Sequence, residues 1–189
     1  MELNTVFVVY AALQFIAFVF VVVGTPIDMF RVKPMFREGT VPCLTLWGGK
    51  FHCFDLSYDF RPEYVFVNCT NRLMRFRVAE AFAIISIFLY GAAFVLGVLM
   101  LLCCPLLRWI CLGLNIVGAV TLGVVWASMS VAYTVDEMNC SMLSFEFHYG
   151  AGFALFVAAW VLDVINIFVV VLSICTTASA ESGQVEHKE

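Results

Sequence analysis

Charged residues are scarce in this chain of 189 residues. Asp, Glu, Lys and Arg make up 13% of it and hydrophobic residues 63%, whereas soluble domains average about 25% charged and about 45–50% apolar residues. A fold of this length cannot bury so much apolar surface away from water, so part of its surface must face lipid. The net charge of −4 has no basic cluster behind it that suits a phosphate backbone, which excludes nucleic acid as an expected partner.

Catalytic motifs are also missing from the sequence. It contains no Cys-x-x-Cys redox motif, no phosphate-binding glycine loop and no nucleophile motif. Its three histidines, His52, His148 and His187, lie in separate segments. We therefore expect neither an enzyme nor a cofactor or metal.

Long apolar runs are what the sequence has in abundance. Four of them approach or exceed the roughly 20 residues that an α-helix needs to cross the hydrocarbon, and backbone groups in lipid must pair within their own segment. The first run has no basic flank and no small-residue cleavage site, so we interpret it as a retained helix rather than a secretion signal. We predict an all-α membrane protein, one domain over residues 1–175, with helices at 6–24, 79–102, 109–132 and 150–174.

The segments between these helices differ greatly in length. An even number of spans puts both termini on one side of the membrane and loops 25–78 and 133–149 on the other. Only loop 25–78 is long enough to hold structure outside the bilayer. The tail, residues 176–189, is polar and low in aromatics, so we predict that it is disordered.

Two signals conflict over which side is which. The positive-inside rule would place the loop side in the cytoplasm, since it carries nearly all of the Lys and Arg. Against this, four of the eight cysteines and two Asn-x-Ser/Thr acceptor triplets also lie on the loop side. A disulfide there requires an oxidising compartment. The residues alone leave the orientation open.

The segment CLTLWGGKFHC, residues 43–53, places two cysteines around a Trp-Gly-Gly centre. Structural zinc sites favour cysteine pairs two to four residues apart. Cys43 and Cys53 are too far apart for that spacing, and an adjacent His52 would point to the opposite face of a strand. A metal clamp is therefore a weak interpretation.

A closed hairpin explains this segment better. The residues that flank the glycines favour strands, and a three-residue loop of Trp47-Gly48-Gly49 would set Cys43 opposite Cys53. A two-residue Gly-Gly turn would instead set Cys43 opposite Phe54. We predict a Cys43–Cys53 disulfide with the three-residue loop.

The same residues resemble the signature of the amastins, surface glycoproteins of trypanosomatid parasites. That signature has a Trp-Gly centre and a basic residue between two cysteines, and the fourth apolar run, YGAGFALFVAAWVLDVINIF, is similar to the amastin pattern as well. His52 departs from the signature, where the position is usually acidic, Asn or Thr. The matching positions are Cys43, Leu44, Thr45, Leu46, Trp47, Gly48, Lys50 and Cys53.

The plan is more distantly similar to that of claudins, which have four helices and a β-rich first loop with a cysteine pair. The amastin resemblance implies a multi-pass protein of the plasma membrane, with loops 25–78 and 133–149 outside the cell and both termini in the cytoplasm. It also implies a small disulfide-braced extracellular β-sheet in the first loop. We follow the resemblance over the count of positive residues.

Two further cysteines, Cys69 and Cys140, lie on the loop side. We favour a second disulfide between them that ties the loops together, with free thiols as the alternative. Each is also the middle residue of an acceptor triplet, so Asn68 and Asn139 are glycosylation candidates, although a bridge or the nearby membrane could block glycan addition.

Asp163 lies near the middle of the fourth predicted helix, with Asn166 one turn further on the same face. A charged, unpaired carboxylate at that depth costs several kcal/mol, which makes it a functional candidate. We favour a neutral, hydrogen-bonded contact inside the bundle, with Asn115 or Gln14 as partners. At the membrane edge we expect Glu80 to pair with Arg77.

Two functions are compatible with the sequence. We favour a non-enzymatic surface glycoprotein whose first loop, with residues 40–54 as recognition surface or its support, contacts a host membrane, the matrix or further copies of the chain. The alternative is small-ion or proton transport with Asp163 as the intramembrane station.

Overall fold

The structure is a computed structural model that describes residues 2–36, 42–53, 55, 57–102, 107–135, 140 and 142–186. A 3₁₀ turn, Pro34–Phe36, follows the first strand. In chain order the helices and strands are α1 (Glu2–Gly24), β1 (Asp28–Val32), β2 (Cys43–Thr45), β3 (Gly49–Lys50), α2 (Pro62–Val65), α3 (Thr70–Leu102), α4 (Leu107–Thr134), α5 (Leu143–Glu146), β4 (Phe147–Tyr149) and α6 (Ala151–Glu186).

Four helices are long and apolar enough to cross a membrane, which confirms the prediction of four spans. The apolar stretches run over Thr5–Gly24, Thr70–Leu101, Leu107–Thr134 and Ala151–Thr176. Helix α1 packs against α3 and α6, and α4 packs against the same two helices, so the spans form a closed bundle. Most large side chains on the outside of the bundle are apolar, as lipid requires.

The predicted boundaries of α1 and α4 differ from the structure by a few residues, and two others are wrong by a wider margin. Helix α3 begins at Thr70 rather than 79, because its first two turns carry arginines that a helix tolerates outside the hydrocarbon but that a hydropathy pattern excludes. Helix α6 continues to Glu186, so residues 176–186 are helical and not disordered. Ala, Glu and Gln in this stretch are compatible with a helix that the span has already nucleated. Residues 187–189 lie outside the described residues.

A four-stranded antiparallel sheet lies on the loop side of the bundle, in the order β3-β2-β1-β4. The sequence predicted the sheet in loop 25–78, but its fourth strand comes from the other loop. Strand β4 pairs with β1 through Phe30 opposite Tyr149 and Val32 opposite Phe147. Neither β1 nor β4 has the alternation that marks a half-buried strand; Met29 and Phe30, adjacent in β1, are both buried.

The predicted hairpin register is wrong, although the hairpin exists. Cys43 lies opposite Lys50 and Leu44 opposite Gly49, and Thr45 N–H donates to the Gly48 carbonyl at 2.9 Å. The turn therefore has Leu46 and Trp47 as its two central residues. The reason is the Thr45 hydroxyl, which accepts from the N–H groups of Trp47 and Gly48 at 3.1 and 3.2 Å and tightens the turn.

Candidate functional site

The signature hairpin points most of its side chains inward. Cys43, Leu44, Thr45 and Leu46 are all buried, with Leu46 fully so. Leu44 and Leu46 belong to a core that also contains Met29 and Phe30 of β1 and residues from the loop-side halves of all four spans. These positions therefore build the support of the outer surface rather than the surface itself.

Trp47 and Gly48 fix the hairpin to its surroundings. The indole Nε1 of Trp47 donates to the Thr25 carbonyl at 3.1 Å, which ties the turn to the residue after α1. Gly48 has φ +150°, a conformation that side chains rarely adopt. A Cβ on Gly48 would also overlap the carbonyl oxygen of Phe60, which accepts from Gly49 N–H at 2.9 Å. Only glycine fits at this position.

Lys50 is a buried cation, 7% exposed. Its Nζ donates to the Asp55 carbonyl at 2.8 Å and lies 4.5 Å from the centre of the Tyr58 ring. Both contacts satisfy the ammonium group while its aliphatic stem packs in the sheet. The basic residue of the signature thus holds the segment that follows the hairpin.

Two disulfides close the outer region. Cys43 is bonded to Cys53 and Cys69 to Cys140, the pairs favoured from the sequence, with Cα atoms 5.5 and 6.1 Å apart. The second bridge joins the residue before α3 to the loop that follows α4. Loops 25–78 and 133–149 are therefore linked to each other twice, once by the pairing of β1 with β4 and once by the Cys69–Cys140 disulfide.

Asp28, which sequence reasoning missed, anchors the sheet on the fourth span. Its carboxylate accepts from the backbone N–H of Ala151, the first residue of α6, at 3.3 Å. Arg31 donates from Nε and Nη2 to the same carboxylate, and this hydrogen bonding raises the pKa of the guanidinium. A carboxylate at a helix N-terminus is stabilised by the exposed N–H groups there. An Asp so close after a span could have been a signal for such a cap.

An apolar groove opens where the hairpin meets α2 and β4. We call it the outer groove: a cavity of about 160 Å³ whose lining includes Leu44, Phe51, Phe60, Val65 and Phe147. Phe51 and Phe60 are 48% and 43% exposed and contact each other edge to face, 5.0 Å between ring centres. Exposed aromatic side chains around a concavity are typical of protein-interaction sites.

The residues predicted as recognition surface divide into two groups. Within 40–54, the hairpin positions 43–46 and 48–50 are buried and Trp47 is half-buried, whereas Phe51 and His52 are exposed. Residues 40, 41 and 54 lie outside the described residues. Asn68 is exposed in the turn before Cys69, while the other glycosylation candidate, Asn139, is not among the described residues.

The intramembrane polar residues lie between two apolar cores. One core contains Ala17, Leu122 and Ala159, and the other contains Tyr10, Cys111 and Val170. On each helix, the boundary between the two cores therefore lies at a similar depth in the bundle. The residues at that depth are polar and at most 1% exposed: Gln14, Asn115, Asp163 and Asn166. We call these four the polar layer.

The partners within this layer are those expected for Asn166 but not for Asp163. Asp163 Oδ2 accepts from the Tyr90 hydroxyl at 3.0 Å rather than from Asn115 or Gln14. It is Asn166 whose amide donates to Gln14 Oε1, at 2.8 Å. Asn115 Oδ1 accepts from the Tyr10 hydroxyl at 3.4 Å. The signal for both tyrosines was available, because a tyrosine inside an apolar span needs a partner for its hydroxyl.

The ion pair at the membrane edge is the one expected. Arg77 Nη1 donates to Glu80 Oε2 at 2.8 Å, and Arg77 also pairs with Glu63. Glu63 lies in α2, so the pair connects this short helix to the first turns of α3. Because Arg77 is half-exposed, these ion pairs contribute little to stability by themselves.

Comparison with protein families identifies a relationship. A family model described as Amastin surface glycoprotein matches residues 15–170, which include the sheet, both disulfides and three residues of the polar layer, Asn115, Asp163 and Asn166. Among curated proteins, no sequence matches the chain.

Proposed function

The chain belongs to the amastin surface glycoprotein family, and from that premise we propose that it makes contacts between membranes through its outer groove, without catalysing a reaction. The single observation that carries this proposal is the pair of half-exposed rings, Phe51 and Phe60, on a braced support. A partner that buries these rings would gain free energy without having to order them first. For a chain of a parasite surface family, the facing membrane is that of the host cell.

We also propose that the chain resides in the plasma membrane with loops 25–78 and 133–149 outside and both termini in the cytoplasm. The two disulfides support this orientation, because such bonds persist in oxidising compartments. Several cations of the loop side also have partners within the fold: Arg31 binds Asp28, Arg77 binds Glu80, and Lys33 donates to the Ser144 carbonyl. The positive-inside rule counts these residues as if they were unpaired, so it overstates the positive charge that can bias the orientation of the chain in the membrane.

Labelling of intact cells with a membrane-impermeant amine reagent tests this orientation. We expect modification of Lys33, on the loop side, and none of Lys188, in the tail, until the cells are permeabilised. Peptide mass spectrometry measures both sites in one sample. Modification of Lys188 ahead of Lys33 in intact cells would contradict the orientation.

Proteoliposomes that carry the purified chain test the contact itself. Mixed with vesicles of host plasma membrane, they should co-sediment with them, and the double variant Phe51→Ser/Phe60→Ser should weaken this binding at least about tenfold, the scale of losing one interaction hot spot. Met35→Ser is the matched control, since Met35 is an exposed apolar residue of the same loop, 88% exposed, that does not line the groove.

Intact disulfides, checked by non-reducing peptide mapping, ensure that the double variant is folded. Equal co-sedimentation of wild type and double variant would remove the outer groove from the proposal. An equal loss in the Met35→Ser control would show that the effect is not specific to the groove.

A further inference from the structure

Three polar atoms of the polar layer have no hydrogen-bond partner within the described residues: Asn115 Nδ2, Asp163 Oδ1 and Asn166 Oδ1. Their side chains are 0–1% exposed. A buried polar atom left unpaired costs about 1–3 kcal/mol, and more if it is charged. Three of them on neighbouring turns of an apolar bundle therefore indicate a shared partner rather than three separate defects.

The contacts around these atoms place their side chains on neighbouring turns of α4 and α6. Asp163 faces Gly118 of α4, since a Cβ on Gly118 would lie 3.3 Å from Asp163 Oδ2. One turn further toward the chain termini, Asn166 follows Asp163 on α6 and Asn115 precedes Gly118 on α4. Tyr10 of α1 contacts both of these residues, because Asn166 Nδ2 reaches the Tyr10 carbonyl at 3.5 Å and the Tyr10 hydroxyl reaches Asn115 Oδ1 at 3.4 Å.

The chemistry of the three atoms selects the ligand. Asn166 Oδ1 is an acceptor and Asn115 Nδ2 is a donor, while Asp163 Oδ1 accepts as a carboxylate and donates when it carries the proton of the neutral acid. A water molecule has two donors and two acceptors, so it matches both states and makes the three hydrogen bonds that buried waters typically form. A metal cation fits less well, because the Asn115 amide turns its N–H₂ group toward the site while its oxygen accepts from Tyr10.

We propose that the polar layer binds one buried water molecule, held by Asn115, Asp163 and Asn166 between α4 and α6. The water joins three separate pairs, Tyr90–Asp163, Tyr10–Asn115 and Gln14–Asn166, into one hydrogen-bonded network that touches all four spans. Polar groups more than 3.5 Å apart commonly interact through such a water. The layer is then a structural crosslink of the bundle.

A structure of the full chain in lipid, at a resolution that shows ordered water, tests this site. We expect one density peak about 2.7–3.2 Å from each of the three atoms. Direct hydrogen bonds among the three side chains, or no peak, would overturn the proposal. A peak with several oxygen ligands near 2.4 Å, and with the Asn115 amide reversed, would identify a cation and overturn it as well.

Two variants sharpen the same measurement. Asn115→Leu removes the donor, so the peak should be lost. Asp163→Asn is the matched control, because its amide oxygen can accept from Tyr90 while its N–H₂ group donates to the water, so the peak should persist. A peak that stays in Asn115→Leu would contradict the assignment. If Asn115→Leu fails to fold, the density in the wild type and in Asp163→Asn still shows whether a water occupies the site.

Discussion

Gly48→Ala is expected to abolish the native outer hairpin. Alanine at φ +150° costs about 1–3 kcal/mol for the backbone conformation alone. Its methyl group would in addition overlap the Phe60 carbonyl, which is backbone and cannot rotate away. The Gly49–Phe60 bridge and the capped turn would have to open together, and with them the lining of the outer groove.

Gly49→Ala is the matched control for this variant. Gly49 is adjacent in sequence and lies in β3, but a Cβ there meets its nearest neighbour, Val65, at 3.8 Å, an ordinary contact. Surface delivery and the Cys43–Cys53 bond, followed by flow cytometry and non-reducing peptide mapping, should be near wild type in Gly49→Ala and strongly reduced in Gly48→Ala. Equal results for the two variants would contradict the described backbone at Gly48.

Asp163→Leu is expected to destabilise the bundle because it leaves the Tyr90 hydroxyl unpaired. That hydroxyl is buried and donates to Asp163, so its loss of a partner costs about 1–3 kcal/mol. Tyr90→Phe should be destabilising for the reciprocal reason, since it removes the donor to Asp163 Oδ2. The double variant Asp163→Leu/Tyr90→Phe should recover much of the loss, because no polar group of the pair remains.

Thermal unfolding in lipid nanodiscs measures this cycle. A double variant that is less stable than both single variants would contradict the pairing of Tyr90 with Asp163. Asp163→Asn keeps an acceptor for Tyr90, and we expect it to be nearly as stable as wild type. The contrast between Asn and Leu at one position separates the hydrogen bond from the volume of the side chain.

The same Asp163→Asn variant distinguishes contact from transport. An amide cannot exchange a proton near neutral pH, so a proton station at Asp163 would lose its flux in this variant. The side chain is fully buried, with Tyr90 and Gly118 against it. We expect no proton flux through proteoliposomes of either protein. A wild-type flux that Asp163→Asn abolishes would favour transport over the contact function.

The four spans were predictable because lipid imposes a simple rule on composition. The rule says nothing about helix outside the membrane, so it missed the first turns of α3 and the extension of α6. The outer sheet depends on pairs between distant segments, such as Phe30 with Tyr149. Local strand propensity could not identify these partners, and so β1 and β4 were not predicted.

The candidate site was predictable only in part for a related reason. Cysteine positions on one side of the membrane suggested the two bridges. The hairpin register, however, is set by the Thr45 hydroxyl and by the bridge from Gly49 to Phe60, a residue well beyond the motif. In the same way, Asp163 was identifiable by its depth, but its partner Tyr90 is chosen by how α3 packs in the bundle.

The central claim is that the outer groove, and not Asp163 in the polar layer, carries the function. Attachment of intact cells to host cells tests it most directly, because variants of both regions can be compared in one assay. Cells that display equal amounts of the wild type, of Phe51→Ser/Phe60→Ser and of Asp163→Asn are compared with cells that lack the chain. The account predicts that attachment falls to the level of cells without the chain in the double variant and stays at the wild-type level in Asp163→Asn. Normal attachment by the double variant, together with a loss in Asp163→Asn, would contradict it.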